Sequence, residues 1–112
     1  MIPITRIGKS RLSNTRSRSI VHQGVVTTVA VPAEIPASLY EQAKDALSVL
    51  DRNLIEAGSD KSRILRAMIY IPDIEAKPDF NRAWDEWVDR DNLPLRSAPA
   101  SAPISKANSW SN

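Results

Sequence analysis

Hydrophobic and polar positions alternate over the first third of the chain and then change period. Residues 2–7, IPITRI, alternate weakly and predict a short first strand, and 8–18, GKSRLSNTRSR, are polar and loop-like. The run SIVHQGVVTTVAV is dense in β-branched residues and predicts two strands, about 19–22 and 25–31, joined at Gln23-Gly24 by a tight turn. Pro32 and Pro36 stop this sheet. Ser38-Leu39-Tyr40-Glu41 has the spacing of a capping box, and Leu39, Ala43, Leu47, Leu50 and Leu54 form an apolar stripe at helical period. The helix is expected to run to about Ala57, with Gly58 as its left-handed terminator. Period two returns in 62–71, SRILRAMIYI, and predicts a strand ended by Pro72. Leu65, Ala67, Ile69 and Ile71 share the face expected to be core. Ile64, Arg66, Met68 and Tyr70 share a mixed face that suits contact with something polar, such as another subunit. A second helix starts near Pro78, where proline is tolerated in the first turn. Its stripe is Phe80, Ala83, Trp84, Trp87 and Val88, and both tryptophans read as core. Asp79, Asp85, Glu86 and Asp89 point mostly outward.

The order β-β-β-α-β-α fits an α+β layer. The strand–helix–strand unit from 25 to 71 is expected to be a right-handed crossover with parallel strands. Both helices then lie on one sheet face. Such a pattern normally returns to the sheet after the second helix, yet residues 97–112 carry no β pattern, so a last strand is not expected. The organisation read here is one domain over 1–96 and an aberrant, poorly ordered tail over 97–112.

Composition narrows the chemistry. At 112 residues the chain holds one core. It has no run of about 18 apolar residues to cross a bilayer, and its N-terminus has no signal-peptide core. It has no cysteine, hence no disulfide and no thiol nucleophile, and His22 is its single histidine, which removes the usual multi-histidine metal sites. A cytoplasmic protein without cofactor or metal is expected. Charge is uneven: Arg6, Lys9, Arg11, Arg16 and Arg18 all precede the first acidic residue, Glu34. Solvated loops and protected strand edges account for that segment, with nucleic acid as the alternative.

An ordered set of segments resembles the Rid family, the YjgF-type imine and enamine deaminases. The set is Ile20 to Val26, Glu41-Gln42, Leu54 to Gly58, Ser59 to Leu65 and Asp79-Phe80-Asn81. It continues through Asn81-Arg82-Ala83-Trp84-Asp85-Glu86-Trp87-Val88, in the manner of a Trp-x-x-Trp subgroup, to Pro94-Leu95-Arg96. The resemblance covers about Arg6 to Arg96. It implies a chorismate-mutase-like fold, a curved mixed sheet with two helices on one face. It also implies a homotrimer with sites between subunits, no cofactor or metal, and hydrolysis of 2-imino or enamine acids to 2-keto acids and ammonia. In the family an arginine of a Pro-x-Arg motif clamps the substrate carboxylate. Arg96 matches it and is the expected catalytic and substrate-binding residue; a guanidinium fork grips a carboxylate through two parallel hydrogen bonds.

Two departures bear on activity. Ala30 and Val31 stand where the family has Gly-Gln, and no acidic residue follows Asp91, so the acid of the family's last strand has no counterpart. A trimer that binds small carboxylates without turnover is therefore the alternative. An RNA-interacting, endoribonuclease-type protein is a weaker one, because no aromatic platform interleaves with the N-terminal arginines. Back-translated with GC-rich codons chosen for the purpose and read in a shifted frame, the tail can spell Arg-Ala-Cys-Val and then Leu-Leu-Val-Glu, which resemble the family's closing strands. A frameshift between about Val88 and Ser97 is expected, with a genuine extension as the alternative. Any strand over Ala100 to Ile104 would pair poorly, because Pro99 and Pro103 remove ladder donors.

Overall fold

The computed structural model describes residues 2–32, 38–71 and 74–97. Its strands and helices are β1 (Thr5–Lys9), β2 (Ser17–His22), β3 (Val25–Thr28), α1 (Leu39–Glu56), β4 (Arg66–Met68), α2 (Lys77–Trp87) and β5 (Leu95–Ser97). The expected α+β class holds. The tail beyond Ser97, with the expectations placed on it, lies outside the described residues.

β1, β2 and β3 form an antiparallel sheet in that order, with Ile7 opposite Ser19 and Ser19 opposite Thr28. The β2–β3 turn is the expected Gln23-Gly24. Both residues have positive φ, 53° and 78°, which matches the right-handed twist of the strands it joins. Ser19 is buried, and its hydroxyl is satisfied by the Thr28 hydroxyl at 2.7 Å.

α1 starts and ends as its sequence requires. Ser38 Oγ accepts from the Glu41 N–H at 3.1 Å. At the other end Gly58 takes φ 86°, Ser59 N–H donates to Leu54 O at 2.8 Å and Gly58 N–H to Ile55 O at 3.0 Å. Those two bonds make a Schellman motif. Ser38→Ala leaves an early N–H without its acceptor, and we expect a loss of about 1 kcal/mol, read from a urea melt. An unchanged midpoint would show that water replaces the hydroxyl at no cost.

The helix buries Ala43, Leu47, Val49 and Leu54. Ala43 and Leu47 join Ile71, Ala76, Phe80, Ala83 and Trp84 in one core cluster, with Ala67 and Ile69 of the strand segment packed against it. The core thus lies between the two helices and β4. Buried Asn53 ties α1 to the end of the antiparallel sheet, donating from Nδ2 to Val29 O at 3.2 Å.

Four expectations need correction. β4 is far shorter than 62–71. Asp60 accepts from Ser62 N–H at 2.9 Å and opens a 3-10 turn over Lys61–Arg63, which takes the first positions out of the strand. Leu65, assigned to the core face, is 77% exposed. It precedes the strand, and alternation gives a side without saying whether anything covers it. The expected parallel partner of β3 was β4, but the described strands fall into two sheets. The parallel pair is β4 with β5, joined through α2. The chain therefore does return to the sheet after the second helix. Leu95 N–H donates to Leu65 O at 3.0 Å and Ile69 N–H to Ser97 O at 2.8 Å. Such bonds are made by backbone and need no side-chain pattern, so a three-residue strand leaves no mark in the sequence.

Candidate functional site

The expected site residue, Arg96, is the middle residue of β5, in register with Ala67 of β4. Neighbours in register share a sheet face, and Ala67 packs on the core. Arg96 accordingly extends toward α2. Its guanidinium carbon stands 5.6 Å from the Phe80 ring centroid and 5.4 Å from that of Trp84. The two rings are stacked, 6.3 Å apart at an interplanar angle of 29°. A cation over ring faces is held by their quadrupoles. Nη2 donates to Asn81 Oδ1. Nε is buried and has no hydrogen-bond partner among the described residues.

Burial pushes the Arg96 guanidinium below its ordinary pKa, and the opposite charge of Asp85 pulls it partly back. At neutral pH it remains a cation. Its hydrogen-bond acceptor among the described residues is the neutral amide of Asn81, and an anionic oxygen would form a stronger, charge-assisted bond to such a half-buried cation.

Phe80, Asn81, Trp84 and Asp85 all come from α2, so one helix face builds the frame. Their 80, 81, 84, 85 spacing was the available signal. The stripe reads as core, and Phe80, Ala83 and Trp84 are buried, with Trp87 and Val88 only partly buried against them. Trp87 is half-buried and donates from Nε1 to Asp51 Oδ2 at 2.9 Å. Lys61 Nζ donates to Trp87 O at 2.7 Å, satisfying a carbonyl at the end of α2. On the outer side Tyr40 donates its hydroxyl to Glu86, with the Arg82 guanidinium 3.8 Å from the Tyr40 ring centroid. These contacts hold α2 against α1 and fix where its Arg96-facing side chains stand.

The mixed face of β4 is separate from this frame. Arg66, Met68 and Tyr70 are exposed, Tyr70 at 82%, and Leu95 lies open beside them. Ala30 and Val31 are half-buried and place no side-chain donor or acceptor at the end of β3. Val31 lines a small depression with Ser10, Arg11, Arg18, Val49 and Asn53, away from Arg96. There Arg18 is engaged by Glu56, 2.7 Å from Nη2. One of the basic N-terminal residues is thus structural, while Arg6, Lys9, Arg11 and Arg16 are exposed. Among the described residues no group of three or more His, Cys, Asp or Glu side chains is placed to hold a metal, and no helix is long and apolar enough to cross a membrane.

The chain is similar to known proteins over most of its length. The model of the endoribonuclease L-PSP family matches residues 15–108. A RutC family protein of Haemophilus ducreyi is 36% identical over 96 residues, 85% of this chain and 80% of that protein. The RutC family protein YoaB of Escherichia coli is 34% identical over 77 residues, 69% of this chain and 68% of its own. Among solved structures, the YjgF family member NMB1025 of Neisseria meningitidis superposes with a TM-score of 0.79 at 29% identity, covering 90% of this chain and 82% of that one. An Entamoeba histolytica protein described as an endoribonuclease L-PSP shares the fold, with a TM-score of 0.79 at 21% identity over 93% of this chain and 90% of that chain.

Proposed function

This chain belongs to the endoribonuclease L-PSP family, which holds the RutC and YjgF proteins, and from that premise we propose that it hydrolyses small 2-imino and enamine acids to 2-keto acids and ammonia. The observation that carries the reading is Arg96: a cation over two aromatic rings, with Nε–H unpaired among the described residues. Its guanidinium would grip the substrate carboxylate and hold the adjacent imine carbon still. For 2-aminoacrylate the enamine takes a proton at its terminal carbon and releases one from nitrogen, giving the imine. Water then adds to the imine carbon, a proton moves to nitrogen, and the C–N bond breaks to release ammonia and leave pyruvate. The exposed face of β4 and β5 is the surface that a trimer would bury, and sites between subunits would complete the pocket.

Ala30 and Val31, which offer no polar contact, favour one second reading: a carboxylate-binding protein without turnover. The test couples the full chain to a pyridoxal-phosphate serine dehydratase and follows pyruvate, with calorimetric titration of 2-ketobutyrate in parallel. Faster pyruvate release is the expected result. Binding without faster release establishes the second reading. No binding and no acceleration overturns both.

A further inference from the structure

We infer that Asn81 is a positioning residue for Arg96, fixing which edge of the guanidinium is left for a ligand carboxylate. The inference rests on the carboxylate-clamp reading above. The Phe80 and Trp84 ring centroids lie 5.6 Å and 5.4 Å from the guanidinium carbon, and attraction between a cation and a ring does not fix how the guanidinium is turned. Among the described residues the directional restraint is the bond from Nη2 to Asn81 Oδ1. Asp85, one turn on, contributes charge, and its effect is on the guanidinium as a whole.

Asn81 can hold that orientation because its own backbone is fixed. It lies between buried Phe80 and Ala83 on α2. The helix end is tied down by Val88 N–H to Trp84 O at 2.8 Å and by Lys61 Nζ to Trp87 O at 2.7 Å. An amide oxygen at this point also has a consequence that a carboxylate would not. It accepts the hydrogen bond without neutralising the cation, so the full positive charge remains for the ligand. The bond also occupies one of the five N–H groups of the guanidinium, while Nε–H, which is buried, has no hydrogen-bond partner among the described residues. Chain geometry, and not only charge, thereby selects the approach of the carboxylate.

The deciding variants are Asn81→Ala and Asn81→Asp, each compared with the full wild-type chain and with Arg96→Met. Titration with 2-ketobutyrate reads affinity, and the Nε–H resonance of Arg96 in a nitrogen-15 spectrum reads how firmly the group is held. Asn81→Ala is expected to weaken binding roughly tenfold, as loss of one hydrogen bond to a charged group should, and to broaden the Nε–H resonance. Asn81→Asp is expected to keep that resonance sharp yet weaken binding by roughly two orders of magnitude, because its tethered carboxylate competes at high effective concentration. A merely structural Asn81 would not separate these two readouts. If the wild type binds, Arg96→Met does not, and both Asn81 variants bind as the wild type does, positioning is overturned while the clamp reading stands. If the wild type itself fails to bind, the clamp reading falls and this inference falls with it.

Discussion

Trp84→Ala is expected to destabilise the domain by about 3–5 kcal/mol, the range for removing a large aromatic from a packed interior. Trp84 is 7% exposed and lies in the cluster where α1, α2 and the β4 segment meet. Its ring stacks on Phe80 at 6.3 Å and tilts against Trp87 at 5.6 Å, so truncation strips contacts from both. Domains of this size are stable by roughly 5–15 kcal/mol in total, so the variant should approach the edge of folding at physiological temperature. A urea titration by far-UV circular dichroism gives the loss directly. Trp87→Ala should cost less, because Trp87 is half-buried and its bond to Asp51 is partly replaceable by water. A loss below about 1 kcal/mol for Trp84→Ala would mean that the two helices do not unfold with the sheet as one unit.

The parts of this fold that were legible in sequence are those decided within a few residues. A hydroxyl at Ser38, a glycine at Gly58 and a stripe at helical period specify α1 locally, and the structure realises each of them. The Gln23-Gly24 turn is local in the same sense. β4 was readable as a period but not as a length, because the Asp60 to Ser62 turn competes for its first residues. β5 was not readable at all. Its three residues are held by backbone bonds to a partner far away in sequence. Arg96 was singled out by resemblance, since a lone arginine after a proline has no pattern of its own. Its surroundings show why pattern reasoning stops short. The stripe Phe80, Ala83, Trp84 was correctly assigned to the interior, yet a stripe names the buried side of a helix and not the group that lies over it. Here that group is a cation.

Replacing that cation tests function against stability in one step. Arg96→Met keeps a long, flexible side chain over Phe80 and Trp84 and removes the charge. Burial lowers the Arg96 pKa, so the charged form is less favourable in the folded chain than in the unfolded one. For a base with a depressed folded pKa the penalty is present at every pH below that value, neutral pH included. It would be relieved only at strongly alkaline pH. Removing the charge should therefore leave the melting temperature unchanged or raised, as when buried ionic groups give way to apolar ones of similar volume. Carboxylate binding should meanwhile fall by two orders of magnitude or more, roughly, the effect of deleting a charge-assisted bidentate contact. Arg96→Lys separates charge from shape: it restores a positive charge without the fork and is expected to recover only a small part of the affinity. Thermal melts and calorimetry with 2-ketobutyrate give both quantities on the same samples. If Arg96→Met melts much lower and binds as tightly as the wild type, Arg96 is a strut between β5 and α2, and the ligand site lies elsewhere. If it melts as high and binds nothing, the cation is held there at a cost to stability for the sake of its ligand, which is how functional groups in a packed interior are expected to behave.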